Sequence, residues 1–390
     1  MSTIRTLFKN RQFQSIAWIQ MFNVFSSNLI APVLPLYLAL QGLSAARIGI
    51  VMGVAAIGAL AMRPWAGRAV DTRGSRPVIL FGQSLMALCF AAYLWLTGFL
   101  PLLFVRFLHG ASMAFYGTAS VTFASSVESP QNTASAISLY TVFTMIGMGT
   151  ATSLAPFLFH EAGFVPLVCA SLVMLTVSVW FAIWRARPIA PIGGAGDMPF
   201  LTVMRDKAVW APTVCLFASN FVFSTLFTFV PLFALADSIP GYSVFYVSFA
   251  IAVVATRVGV RALTQAFCAE TVATAANIMN AASALLIALY PSPLTFAVSG
   301  VLVGLGFGII FPTLTVYVVQ RIAPSVKGTA LSILTAAGDV GNALGASVLG
   351  IVAELFGFRW VFALAAVVVL VCTRYVYVTL VIKPARDQET

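Results

Sequence analysis

Three side chains that can hold or move charge lie inside strongly apolar stretches of the sequence. Arg106 and His109 are three residues apart, so on an α-helix they occupy one face. Asp339 lies about 18 Å along a helix that begins at Lys327, at a rise of about 1.5 Å per residue. Such groups are costly to bury in an apolar medium, and they usually bind a charged ligand or carry protons. We therefore take all three as candidate sites for ligand charge or proton transfer.

Each of these residues also has a structural interpretation. Arg106 lies about 8 Å along a helix from Pro101, where a long side chain can extend back to the lipid headgroups. His109 is either a packing histidine with satisfied ring nitrogens or a titrating group. Asp339 either bonds to nearby backbone in its glycine-rich helix or exchanges a proton. The functional interpretation is favoured for Arg106, and both interpretations stay open for His109 and Asp339.

The composition places these residues in a membrane. The chain has 390 residues, of which 61% are hydrophobic and 8% are charged, whereas soluble domains average about 25% charged residues. We therefore predict an all-α, polytopic membrane protein with twelve transmembrane helices. The predicted spans are 14–40, 46–69, 77–98, 101–124, 133–159, 163–184, 210–236, 243–265, 269–290, 293–319, 327–355 and 357–380.

The distribution of basic residues predicts the orientation of the chain. With the N-terminus in the cytoplasm, only Arg47 and Arg359 fall on the far side. The cytoplasmic side then carries Arg5, Lys9, Arg11, Arg68, Arg73, Arg76, Arg185, Arg187, Arg205, Lys207, Arg261, Arg321, Lys327, Lys383 and Arg386. The positive-inside rule favours this arrangement, with both termini cytoplasmic in the cell (inner) membrane. Topology thus explains the net charge of +10, and a nucleic-acid partner is not expected.

An internal repeat divides the chain into halves. Arg257 follows Arg63 by 194 residues, and the same offset relates further landmarks. These pairs are Gly110 with Gly304, Pro130 with Pro324, Ser138 with Ser332, Gly147 with Gly341, and Phe164 with Phe358. The repeat predicts two six-helix bundles, residues 1–184 and 210–390, joined by a cytoplasmic linker at 185–209. Parallel repeats of this kind place a substrate site near the membrane midplane between the halves.

The segment between spans 2 and 3 reads GRAVDTRGSR. It resembles the major facilitator signature G-x-x-x-D-[RK]-x-G-x-[RK], from which Thr72 departs. The matching residues are Gly67, Asp71, Arg73, Gly74 and Arg76. The resemblance implies an inner gate, in which the glycines permit a tight turn and Asp71 accepts from cations or a helix N-terminus. In the second half Gln265 and Cys268 stand where Asp71 and Gly74 do, so asymmetric gating contacts are expected.

The segment from Arg106 to Gly110 resembles the R-x-x-x-G element of the drug and metabolite efflux branch, whose proton antiporters use this arginine in proton coupling. Span 5 keeps only Ala155 and Pro156 of the efflux element G-x-x-x-G-P-x-x-G-G, which weakens the assignment. Polar groups of the first helix in each half, together with a span 4 aromatic, are predicted to line a cavity: Asn23, Asn28, Tyr116 and Asn220.

The resemblance implies a secondary transporter with alternating access. Because the chain has no G-x-x-x-x-G-K-[ST] loop for ATP, a proton or solute gradient must drive it. The prediction is a monomer that exports a drug or a zwitterionic or anionic metabolite such as a metal chelator, by proton antiport. An importer of a small polar metabolite and a transport-inactive receptor are the alternatives. No enzyme motif, cofactor site or metal site is predicted, and the five scattered cysteines are expected to pack as small hydrophobes.

Overall fold

The computed structural model describes residues 10–96, 98–127, 133–186, 200–322 and 327–379. Within these ranges the regular structure is helical, without a strand. The helices are α1 (Arg11–Ile30), α2 (Leu34–Leu40), α3 (Ala45–Arg73), α4 (Ser75–Trp95), α5 (Phe99–Ser126), α6 (Thr133–Ala162), α7 (Phe164–Trp184), α8 (Phe200–Met204), α9 (Lys207–Ala236), α10 (Ser243–Ala266), α11 (Ala269–Leu289), α12 (Pro293–Arg321), α13 (Lys327–Phe356) and α14 (Phe358–Tyr377).

These helices confirm the predicted all-α membrane architecture. Among the described residues, eleven segments are long and apolar enough to cross a bilayer, the first being Arg11–Leu40, which joins α1 and α2. The eighth predicted span is α10, of which the apolar stretch Ser243–Thr256 is described. The two predicted cytoplasmic termini and most of the predicted linker fall at 1–9, 380–390 and 187–199, which lie outside the described residues.

The structure corrects the boundary between spans 2 and 3. The helix α3 continues to Arg73, four residues beyond its predicted end, so the signature segment is mostly helix rather than loop. Gly74 alone separates α3 from α4, with a φ of 81°. A residue with a Cβ rarely adopts this left-handed backbone, so the tight connection depends on glycine at this position.

By backbone contacts the chain forms two compact units. One comprises Met1–Tyr37 and Val54–Gly194, and the other comprises Leu38–Gly53 and Ala195–Thr390. The second unit therefore includes the beginning of α3. There Gly49 lies against the backbone of Ala346 in α13, and the amide of Ala46 donates to Glu354 Oε2 at 3.1 Å. A carboxylate at a helix N-terminus satisfies a free amide and interacts favourably with the helix dipole.

Each unit repeats the other's helix packing. A Cβ on Gly110 in α5 would collide with the carbonyl oxygen of Ala55 in α3. A Cβ on Gly304 in α12 would collide with the carbonyl oxygen of Phe249 in α10. Phe249 follows Ala55 by 194 residues, the offset of the repeat. The buried cores correspond as well: Ile79, Tyr116, Ala124 and Tyr140 in the first unit match Ala273, Ile310, Val318 and Leu334 in the second. These matches support the repeat with observed contacts.

Candidate functional site

The structure brings Arg106 and His109 together on one face of α5. The guanidinium Nη1 of Arg106 lies 3.2 Å from Nδ1 of His109. The hydroxyl of Tyr93 in α4 lies 3.0 Å from the same nitrogen, and the ring of Phe90 meets the imidazole edge to face at 5.2 Å. Arg106 is 8% exposed and His109 is 4% exposed. The cluster is therefore a buried polar site inside a membrane helix.

These contacts determine the protonation of His109. A guanidinium can only donate hydrogen bonds, so Nδ1 of His109 must accept from Arg106. The ring is then neutral, with its proton on Nε2. This Nε2 is buried and has no hydrogen-bond partner within the described ranges. Leaving a buried donor unsatisfied costs about 1–3 kcal/mol, so His109 is not a fully satisfied packing histidine.

Tyr116, predicted to line a cavity, belongs to a closed network in the first unit. Its hydroxyl donates to Gln20 Oε1 at 2.7 Å, and the hydroxyl of Tyr140 donates to the same oxygen at 2.6 Å. Gln20 Nε2 in turn donates to Thr144 Oγ1 at 2.9 Å. The network links α1, α5 and α6, and its hydrogen bonds hold these three helices in register.

The predicted cavity asparagines differ in their surroundings. Asn23 is buried, and its amide nitrogen lies 3.9 Å from the sulfur of Met86 in α4. Asn28 and Asn220 are half-buried, and each donates to a carbonyl oxygen one turn earlier in its own helix, at 2.9 Å and 3.0 Å. Their cavity-lining role, and that of Tyr116, stays a prediction.

Asp339 lies in α13, in the second unit, and is half-buried. The glycines beside it allow α13 to approach α9 closely. A Cβ on Gly338 would lie 3.2 Å from the amide nitrogen of Asn220, and one on Gly341 would collide with the carbonyl oxygen of Phe217. The glycine-rich sequence around Asp339 thus serves helix packing, and the carboxylate is held on a tightly packed element.

Sequence analysis missed a second polar cluster, on α11. Asn277 donates to the backbone oxygen of Cys215 in α9 at 3.1 Å. Asn280 donates to Ser219 Oγ at 3.0 Å, and its Oδ1 is buried without a hydrogen-bond partner in the described chain. The two asparagines are three residues apart in an apolar span, the same signal that identified Arg106 and His109.

The predicted gate residues lie at the end of α3 and the beginning of α4. Asp71 and Arg73 are exposed, and the Asp71 carboxylate makes no ion pair or hydrogen bond with another described residue. Gly67 has open space around its Cα. Arg76 makes the observed contact, because its Nε and Nη2 donate to the carbonyl oxygens of Ala182 and Ile183 at 3.0 and 2.5 Å. It therefore caps the C-terminus of α7.

The corresponding connection in the second half is built differently. Cys268 precedes α11 with a φ of −61°, where Gly74 has a positive φ. Glu270 accepts from Arg321 at 2.9 Å, and the Arg321 guanidinium lies 3.9 Å from the ring centroid of Tyr317. These contacts join α11 to α12, whereas Arg76 joins α4 to α7.

Apolar helices in two repeated six-helix halves, with buried polar clusters inside the spans, define a polytopic membrane transporter. The family model of the Major Facilitator Superfamily matches residues 16–268 and 247–390. The chain belongs to this superfamily, whose members are transporters of small molecules and not enzymes.

Individual relatives agree with this membership. The staphylopine export protein of Staphylococcus aureus is 25% identical over 364 residues, 89% of this chain and 91% of that protein. An uncharacterized MFS-type transporter of Salmonella typhimurium is 26% identical, and the alignment covers 97% of this chain and 97% of that protein. The crystal structure of the nucleoside transporter NupG shares the fold with a TM-score of 0.77, at 13% identity, over 95% of this chain and 100% of that one.

Proposed function

We propose that the chain is a proton-coupled secondary transporter that exports a small organic compound by alternating access. The compound is a drug or a zwitterionic or anionic metabolite such as a metal chelator. The observation that carries the proposal is the buried pair of Arg106 and His109, whose side chains share a hydrogen bond inside a membrane helix. A buried guanidinium beside a titratable ring is costly in a membrane helix, and such groups typically mark a functional site.

Proton uptake at His109 requires Arg106 to withdraw. A ring nitrogen that accepts a hydrogen bond from a guanidinium cannot hold a proton at the same time. Arg106 contact and Nδ1 protonation are therefore mutually exclusive. An arrangement with two exclusive states can link a proton to a conformational change, because proton binding then favours one state over the other.

Asp339 supplies the negative charge that binds a cationic group of the substrate. A proton on its carboxylate removes the charge that a cationic group of the substrate needs. Proton and substrate then exclude each other, which is the thermodynamic requirement for antiport. Arg106 suits an anionic group of the transported compound, and Asp339 suits a cationic group.

Export is supported by the relative named as a staphylopine export protein and by the resemblance of the segment around Arg106 to the efflux branch. We infer that both termini and the linker at 185–209 face the cytoplasm of the cell (inner) membrane, because the basic residues concentrate on that side. The halves 1–184 and 210–390 are the moving bodies, Asp71 braces the inner gate, and the protein acts as a monomer. Labelling of a cysteine placed in the linker from outside the cell would contradict this topology.

The test is transport by purified protein in proteoliposomes, with staphylopine as the first probe. Vesicles that are acidic inside should concentrate the compound, because protons leave as substrate enters. Asp339→Asn should abolish this accumulation and still permit exchange down a gradient. Asp237→Asn, which removes an exposed carboxylate after α9, is the control and should transport normally.

Each alternative predicts a different result. Accumulation only in vesicles that are acidic outside would indicate proton symport and support an importer. Binding of the probe without movement would indicate a receptor. If Asp339→Asn still concentrates the compound, Asp339 is structural, and His109 is the next residue to change.

A further inference from the structure

We propose that the paired ends of α1 and α7 form a binding site for the phosphate headgroup of an anionic phospholipid. Both helices are apolar enough to cross a bilayer, so their ends lie where lipid headgroups are found. The site depends on the membrane location of the chain and is independent of the transport mechanism proposed above.

A polar cavity of 380 Å³ separates the two helix ends. It is lined by Asn10, Arg11, Gln12, Trp184, Arg185 and Ala186. Its walls are tied together, because Gln12 Nε2 donates to the backbone oxygen of Arg185 at 3.3 Å. Asn10 caps α1 by accepting from the amides of Gln12 and Phe13. The cavity is thus a defined feature of two connected helices.

The charge of this cavity suits a phosphate. The guanidinium groups of Arg11 and Arg185 are both on exposed residues, and neither makes an ion pair with a described residue. The carbonyl groups at the end of α7 would repel an anion. Arg76 already bonds to two of them, those of Ala182 and Ile183. Two free arginines beside a neutralised helix end can bind phosphate oxygens through several hydrogen bonds.

A second cavity suits the acyl chain of the same lipid. It has a volume of 290 Å³ and is lined by Phe13, Gln14, Ala17, Trp18 and Phe143. Trp18 lies about 10 Å further along α1 than Arg11, so this apolar cavity lies deeper in the bilayer than the polar one. Trp18 is 39% exposed and Trp184 is 73% exposed. Tryptophan side chains are enriched at this depth, where one edge is apolar and the other is hydrated.

The positive charge of the cavity favours an anionic lipid as its occupant over the N-terminal segment of the chain. Residues 1–9 contain Arg5 and Lys9 and no carboxylate side chain, so their charge repels the two arginines of the cavity. Basic pockets between membrane helices typically bind anionic headgroups. The headgroup cavity, the deeper apolar cavity and the charge all match one anionic phospholipid.

Native mass spectrometry of the purified full chain tests the site. Dioleoyl phosphatidylglycerol should remain bound at concentrations where dioleoyl phosphatidylcholine dissociates. Arg11→Gln combined with Arg185→Gln should weaken phosphatidylglycerol binding about thirtyfold, equivalent to about 2 kcal/mol. Arg185→Gln alone should weaken it about fivefold, equivalent to about 1 kcal/mol, and provides the test if the double variant does not fold.

The repeat offers a matched control. Arg205 follows Arg11 by 194 residues, and Arg374 lies in the last turn of α14. Arg205→Gln combined with Arg374→Gln removes the same charge and should leave phosphatidylglycerol bound. Equal loss in both double variants would overturn the proposal, as would equal retention of the two lipids by the unchanged chain. Displacement of the lipid by millimolar inorganic phosphate would indicate a soluble phosphate ligand and would also overturn it.

Discussion

The fourth span of the first half and the fourth span of the second half have equivalent places in the repeat but different side chains. Arg106 and His109 in α5 correspond, 194 residues later, to Gly300 and Val303 in α12. Tyr93, which contacts His109, corresponds to Ile287. The second half therefore builds this helix pair without a charge at these three positions, and Gly300 packs against the carbonyl oxygen of Phe245.

This difference separates residues that build the fold from residues that serve function. The glycines at 110 and 304 make the same close approach in both halves, so they belong to the fold. The buried arginine and histidine occur in one half only, so the fold does not require them. A buried charge that packing does not need costs stability, which is why we propose that this pair serves transport.

Among the variants considered, Arg106→Met should have the largest effect, which is a loss of transport. If the buried pair contacts substrate as proposed, removing one member should lower transport about thirtyfold or more, equivalent to about 2 kcal/mol or more. Both driven transport and exchange should fall. The protein should remain folded, because the second half builds the equivalent helix without a charge at this position. Transport and thermal unfolding would be measured on the same preparation.

Arg359→Met, at an exposed residue near the start of α14, is the matched control and should transport normally. Normal transport by Arg106→Met would mean that the buried contact of Arg106 with His109 is structural.

Gly110→Leu and Gly304→Leu should destabilise the two halves alike. Each new side chain would collide with a backbone oxygen that cannot move aside, of Ala55 and Phe249 respectively. We expect a loss of about 3 kcal/mol in unfolding free energy from each change. Gly117→Leu, in the same helix as Gly110 but with open space around it, should be close to neutral. Damage in one half only would mean that the repeated contact is not essential in the other.

Changes at Gln20 should test whether the first half can adopt the apolar core of the second. Gln20→Val leaves the hydroxyl of Tyr116 without its acceptor, whereas the hydroxyl of Tyr140 can still bond to Ser120 Oγ. We expect a cost of about 1–3 kcal/mol of unfolding free energy. Adding Tyr116→Ile and Tyr140→Leu reproduces the combination of Val214, Ile310 and Leu334 in the second half. This triple variant should recover at least half of the lost stability. If it is less stable than Gln20→Val, the network is specific to the packing of the first half.

The smallest effects should come from the connections after the second span of each half. Arg76→Gln removes two hydrogen bonds to the end of α7 and should cost about 1 kcal/mol. Glu270→Gln breaks a partly exposed ion pair with Arg321 and should cost about 0.5 kcal/mol. Thermal unfolding at low and high salt would measure both. A larger loss from Glu270→Gln would reverse the expected ranking of the two connections.

The sequence predicted the spans and the repeat well, because apolar length and a constant offset are local or periodic signals. It placed the segment ending at Arg73 in a loop, since charged residues in a final helical turn resemble loop composition. It did not predict that Tyr116 donates to Gln20, 96 residues earlier in the chain. Pairings across such distances depend on helix rotation within the bundle, which residue spacing along one helix does not specify.

The most direct test of proton antiport is the internal pH of proteoliposomes during transport. Vesicles containing the unchanged protein and the pH-sensitive dye pyranine would receive staphylopine on the outside, with no imposed gradient. The account predicts that the interior becomes alkaline, because each entering substrate is exchanged for protons. Asp339→Asn should abolish the pH change while labelled substrate still exchanges. Entry of substrate into vesicles of the unchanged protein with no pH change, or with acidification, would contradict the account.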